Sequence, residues 1–189
     1  MDLRVIIPVK RFVEAKQRLS PALNAMQRGQ LAERMFRHVF GTAAAVFGAA
    51  NVLVVSRSPE TLSIAETEGA IALLESEPFD LNPALLQAAR FGGPGAHSKL
   101  QIVASDLPLM EQDEIVEMSS NDCAIAPDRH RRGTNALLWP STLPFAFGEN
   151  SFARHQAIAE TAGLVPITVV RRGLAHDVDV PEDLNGLYL

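Results

Sequence analysis

Residues 3–9, LRVIIPV, form a continuous apolar run rich in β-branched side chains, as expected of a strand covered on both faces. The pattern returns at 51–56 (NVLVVS), 70–75 (AIALLE) and 100–105 (LQIVAS). Between these runs the period changes to that of a helix. Leu31, Met35, Phe36, Val39 and Phe40 recur at helical spacing within 27–47, and Ser20-Pro21 ahead of them reads as an N-cap and first helical proline. Ser58-Pro59 opens a second helix through Glu68, 81–90 is a third, and an acidic helix covers about 113–119. Further on, 122–127 (DCAIAP) and 135–140 (NALLWP) read as strands flanking the polar loop DRHRRGT at 128–134. Ser151 is placed to cap a helix to Ala162, 165–172 reads as a strand, and PEDLNGLYL closes the chain as a helix.

Strands alternating with helices imply βαβ units and an α/β fold with a mostly parallel sheet, helices on both faces. Two successive strands without a helix between them predict one antiparallel edge or insertion. In open α/β sheets ligands bind beyond the carboxyl ends of the strands. Five polar stretches follow predicted strands and could converge there: 10–18, 80–82, Asp106, 128–134 and 176–179.

At 189 residues the chain is expected to be one domain, 1–189, with a sizeable core. A formal charge of -5 argues against a dedicated nucleic-acid binder but leaves room for small anions on a local basic patch. Cys123 is the only cysteine, which excludes an intrachain disulfide and a thiolate metal cluster. The opening apolar run is too short to span a membrane, and Gly48 and Asn51 split 41–56 into a helix end and a strand. The expectation is a cytoplasmic protein. Neither GxGxxG nor GxxxxGK[ST] occurs, so phosphate, if bound, needs another cradle.

The fourth strand ends on a carboxylate, Asp106 of VASDLPLM, which needs a cation nearby: a lysine, an arginine or a metal. Lys10, Arg11, Lys16 and Arg18 follow the first strand, where they read either as a solvated basic turn or as charges for phosphate. Asp177 and Asp179 lie two apart in HDVDVPEDL, so their side chains share one side of an extended segment. Aspartates from two strands are the usual protein share of a magnesium site. Each alone also reads as a helix cap, because Pro108 and Pro181 follow closely. Gly133-Thr134, Gly148 and Ser151 stand where a turn or helix start makes an anion seat, or only an ordinary cap. His38 and His155 read as surface or satisfied histidines and Cys123 as core packing. No Ser/His/Asp or Cys/His set is evident.

In order along the chain, IPVKRFVEAKQRL, SDLPL, APDR…GTNALL, FGENSFARH and DVDVPEDL resemble the CofC/FbiD family, guanylyltransferases of coenzyme F-420 biosynthesis. The resemblance runs from Ile6 to Leu184. It implies a Rossmann-like nucleotidyltransferase, similar to the molybdenum-cofactor guanylyltransferases, with the lysine-bearing loop replacing their glycine-rich one. It further implies that GTP gives GMP to the phosphate of 2-phospholactate, phosphoenolpyruvate or 3-phosphoglycerate, releasing pyrophosphate. Carried onto this chain, Asp106 and Asp177, with Asp179 close by, hold Mg2+, which becomes the expected partner of Asp106. Thr134, Gly148 and Ser151 take the phosphoacid, Lys10, Lys16 and Arg18 meet the triphosphate, and Asn82 faces the nucleotide. A homodimer is also implied. The rival readings are a nucleotidyltransferase with another base or acceptor, such as a molybdopterin or sugar phosphate, and a non-catalytic nucleotide-binding domain.

Overall fold

The computed structural model describes residues 3–77, 79–93 and 96–186. Seven strands form one sheet: β1 (Leu3–Val9), β2 (Val52–Ser56), β3 (Ile71–Leu74), β4 (Lys99–Val103), β5 (Ala124–Pro127), β6 (Thr134–Pro140) and β7 (Ile167–Thr168). Their order across the sheet is β3-β2-β1-β4-β6-β5-β7, and β6 runs against both of its neighbours while the other pairings are parallel. The helices are α1 (Ala25–Phe47), α2 (Pro59–Thr67), α3 (Leu81–Ala89), α4 (Gln112–Ser119), α5 (Ser151–Thr161) and the single turn α6 (Arg172–Ala175).

The apolar runs have no polar face because each parity of a strand meets a different helix layer. Val5, Ile7, Val52 and Val54 pack with Phe36, Val39 and Phe40 of α1 and Ile115 and Met118 of α4. Ile6, Leu53, Leu100 and Trp139 pack on the other side with Leu85 of α3 and Phe152 of α5. Burying a strand on both sides removes apolar area from water twice over, which stabilises the central strands most.

Five expectations are corrected. Of the antiparallel edge or insertion expected, the strand is the insertion and not an edge: β6 lies between β4 and β5, and all but the last of its seven residues are buried. An all-apolar strand needs neighbours on both sides, and NALLWP has them. The strand expected over 165–172 is only β7, because the chain then turns to lay Gly173 against α4. Gly173 N–H donates to Glu114 at 2.8 Å, and a Cβ there would collide with the Glu114 carboxylate and the Leu109 carbonyl. The first helix begins at Ala25 rather than at Ser20-Pro21. Asn24 and Gln27 exchange side-chain-to-backbone bonds at 2.9 Å, satisfying two terminal groups where Ser20 would satisfy one. Ser151 is the first residue of α5, preceded by Asn150 in the left-handed region, φ 53°. PEDL at 181–184 is a 3-10 turn, and 187–189 lie outside the described residues.

Candidate active site

The segment after β1 makes two 3-10 turns, Phe12–Glu14 and Gln17–Leu19, because Phe12 and Leu19 fold back into the interior. Leu19, Leu31, Met35 and Val178 form a small separate core, drawing the loop onto the segment that carries Asp177 and Asp179. Between the two turns Lys16 is held at φ 55°, a conformation costly for a side-chain-bearing residue. There its ammonium, 9% exposed, bonds the Asp106 carboxylate and, at 3.0 Å, Asp179. Arg18 stands outside this pair, 3.9 Å from Asp179 and largely exposed. Burial alone would lower the Lys16 pKa, but the two carboxylates outweigh it and the net shift is upward. A lysine therefore stands beside Asp106.

Asp177 does not share that lysine. It accepts from Asn135 Nδ2 at 3.2 Å. Burial first, then the negative charge of Asp106, push its carboxyl pKa up, and Asn135 only partly opposes this. Asn135 is fixed by a second bond from the same amide to the Leu174 carbonyl, 3.0 Å. Arg129 donates to the Asp177 carbonyl at 3.2 Å and pairs with buried Asp183. Asp183 also accepts from the Asp179 and Val180 N–H groups, at 2.7 and 2.9 Å. Burial works against its charge, but these N–H groups and Arg129 prevail and hold its pKa below the usual carboxylate value. The loop before β6 is shaped by Asp128, whose carboxylate accepts from the N–H groups of His130, Arg132 and Gly133.

Thr134 and Asn135 open β6 beside the end of β4, where Ala104 N–H donates to the Asn135 carbonyl at 2.8 Å. The reversal of β6 thus brings the start of one strand to the same rim as the ends of the others. Thr134 Oγ1 lies 3.0 Å from His155 Nδ1, and Ala146 N–H donates to His155 Nε2 at 3.1 Å. Ser151 is buried at the start of α5 and Gly148 takes φ 116°, so Thr134, Gly148 and Ser151 belong to one region. Asn82 is engaged elsewhere than expected: its amide accepts from Phe147 N–H at 2.8 Å and donates to the Phe147 carbonyl at 3.0 Å. It ties α3 to the 146–148 loop instead of turning its amide to open space.

Asp106 and Asp179 also line a cleft of about 750 Å³. Lys10, Lys16, Arg18, Arg57, Glu75 and Asp80 line it with them. Arg57 pairs with Glu14 and lies 5.1 Å over the Phe79 ring. Burial pushes the Glu75 pKa up, Asp80 adds to this, and Arg57 and Lys10 oppose it. Among the described residues no group of three or more His, Cys, Asp or Glu side chains is arranged to hold a metal ion, and no helix is long and apolar enough to cross a membrane.

Asn135 and Asp183 escaped the sequence reading, and Arg129 entered it only within the polar loop at 128–134. Asn135 had a signal, a lone amide at the start of an apolar strand. Arg129 and Asp183 had none, being one charge among several in their loops.

The family model described as "Guanylyl transferase CofC like" matches residues 3–189. A phosphoenolpyruvate guanylyltransferase of Sphaerobacter thermophilus is 39% identical over 99% of this chain and 93% of its own length. A 2-phospho-L-lactate guanylyltransferase of Methanothermobacter thermautotrophicus is 36% identical over 100% of this chain and 85% of its own. Among solved structures, a cytidylyltransferase of Leptospira borgpetersenii superposes with a TM-score of 0.61 at 13% identity, covering 97% of this chain and 83% of that one. A CMP:2-keto-3-deoxy-manno-octonic acid synthetase bound to CTP superposes at 0.60 and 14%, covering 96% and 95%. The fold is that of the nucleotidyltransferases, and the chain belongs to the CofC-like guanylyltransferase family.

Proposed function

We propose that residues 1–189 act as one nucleotidyltransferase domain transferring GMP from GTP to the phosphate of a three-carbon phosphoacid, for deazaflavin coenzyme F-420 biosynthesis. The observation that carries this reading is the meeting of Asp106 and Asp177 between two regions of opposite use. Asp106 lines the cleft with Lys10, Lys16 and Arg18; Asp177 is bonded to Asn135, next to Thr134, which His155 links to the loop leading to Gly148 and Ser151. A phosphate oxygen of the acceptor attacks the α-phosphorus, the bond to the β-phosphate oxygen breaks, and its electron pair leaves with pyrophosphate. The acceptor oxygen is already anionic, so the chain needs no strong general base. Its task is to align two polyanions and offset their charge.

Lys16 neutralises part of the acidic cluster and presents its wall of the cleft to the triphosphate, with Lys10 and Arg18 nearer the rim. A divalent cation fits the remaining charge. Asp177 is a partly buried carboxylate beside a second one, and two carboxylates with water and phosphate satisfy Mg2+. Asp106 and Asp177 would hold it, and when bound it supplies charge neutralisation at the transferring phosphate. Asp179, which shares Lys16 with Asp106, supports from the side.

The test is mass spectrometry of products from GTP with phosphoenolpyruvate, 2-phospholactate and 3-phosphoglycerate together, repeated with CTP and ATP. The expected result is pyrophosphate and a guanylylated phosphoacid with GTP. Absence of pyrophosphate with every acceptor would overturn the reading, and equal use of CTP would move the chain to another base.

A further inference from the structure

We propose that His155 is a positioning residue which fixes the direction of the Thr134 hydroxyl, so that its proton points to the anionic acceptor. The inference rests on the acceptor seat proposed above and adds to it a residue that touches no substrate. His155 is fully buried on α5, edge-on to Trp139 (5.5 Å between ring centres) and Phe147 (4.8 Å). Its two nitrogens have different partners, and these determine the tautomer. Ala146 N–H can only donate, so His155 Nε2 must be the bare, accepting nitrogen. A neutral ring then carries its proton on Nδ1, and that N–H donates to Thr134 Oγ1 at 3.0 Å. Burial first, and Arg154 second, hold the imidazole neutral, its pKa lowered to about 4.

The consequence falls on Thr134. A hydroxyl has one proton and two lone pairs, and His155 occupies one lone pair. The Thr134 O–H is left to donate, and no other group among the described residues receives it. A donor aimed by the protein suits a phosphate or carboxylate oxygen; a hydroxyl that first had to turn away from an acceptor would not. The same ring holds Ala146, two residues before Gly148, so one side chain sets both the threonine and the loop.

Two measurements test this. Nitrogen-15 spectra of histidine-labelled wild-type protein should show His155 with a protonated Nδ1 and a bare Nε2 at pH 7. A proton on Nε2 or on both nitrogens overturns the proposal, whatever the enzyme transfers. In kinetics, His155→Gln should raise the Michaelis constant for the phosphoacid about ten- to hundredfold, as for a lost hydrogen bond to a charged group. The constant for GTP should stay within about twofold. Thr134→Val should have a similar effect, and the double variant should be scarcely worse than either, because the two act as a unit. Equal rises for both substrates, or fully additive losses, overturn it. Thr134→Ser, which keeps the hydroxyl, should recover most of the affinity. Pyrophosphate release by the wild type is measured first. Should it be absent, the transfer reading fails, and the variants are compared by calorimetric affinity for phosphoenolpyruvate alone, with the same expected ratios.

Discussion

Lys16 combines a strained backbone with a paired ammonium, and two substitutions separate these contributions. Lys16→Ala and Lys16→Gly both remove the charge between Asp106 and Asp179, so both should lose most of the transfer rate. They should differ in stability. Glycine tolerates φ 55° and alanine does not, so after the entropy cost of glycine the Gly variant should be about 0.5–1 kcal/mol more stable. Urea unfolding of the two variants measures this, and equal midpoints would mean that the backbone there carries no strain. His155 gives the pH dependence at this scale. Its folded pKa of about 4 lies below the unfolded value near 6.5. The neutral ring therefore contributes its full stability above pH 6.5, and this is lost as pH falls from 6.5 through 4. Between pH 7 and 4 the wild type should lose about 3 kcal/mol more than His155→Gln. The chain announced its carboxylates and lysines because charge at the end of an apolar run is conspicuous. It concealed His155, since a histidine at helical spacing looks the same whether it faces water or holds a hydroxyl.

At the scale of elements, Asn82 and Gly173 show how helices are fastened to the site. Asn82→Ala deletes two reciprocal bonds to Phe147 and should cost about 1–3 kcal/mol. Because those bonds hold the loop leading to Gly148, the variant should weaken phosphoacid use more than GTP use. The opposite ratio would return Asn82 to the nucleotide. Gly173→Ala should destabilise by about 1–3 kcal/mol or more, since the new methyl meets the α4 carboxylate and main chain. A melting temperature within a degree of wild type would show that α6 moves aside freely. Strands 1 to 4 and most helices were legible because their apolar periods are long and their turns carry Gly, Pro or Ser. The place of β6 was not, for a local pattern records that a strand is buried and not which neighbour buries it. The shortness of β7 depends on a contact between Gly173 and Glu114, 59 positions apart in the chain.

Across the whole molecule, a metal held by the acidic cluster would couple its binding to folding. A cation that binds only the folded chain stabilises it by mass action, about 2.7 kcal/mol at a hundred times its dissociation constant. Mg2+ should therefore raise the melting temperature of the wild type without any nucleotide, and Asp177→Asn should abolish most of that rise. An unchanged response in the variant would remove Asp177 from the metal.

The bond between Lys16 and Asp179 joins positions 163 residues apart. At about 5–20 residues per second, a ribosome makes the lysine loop roughly ten to thirty seconds before the aspartate that completes the cluster. Late in that interval β1 to β3 already have one another as partners, while the lysine has only Asp106 of its two counter-charges and the loop lacks Val178 to rest on. Transfer activity is thus a property of the finished chain. In refolding from denaturant it should return with the last phase, after the parallel half of the sheet has regained its signal.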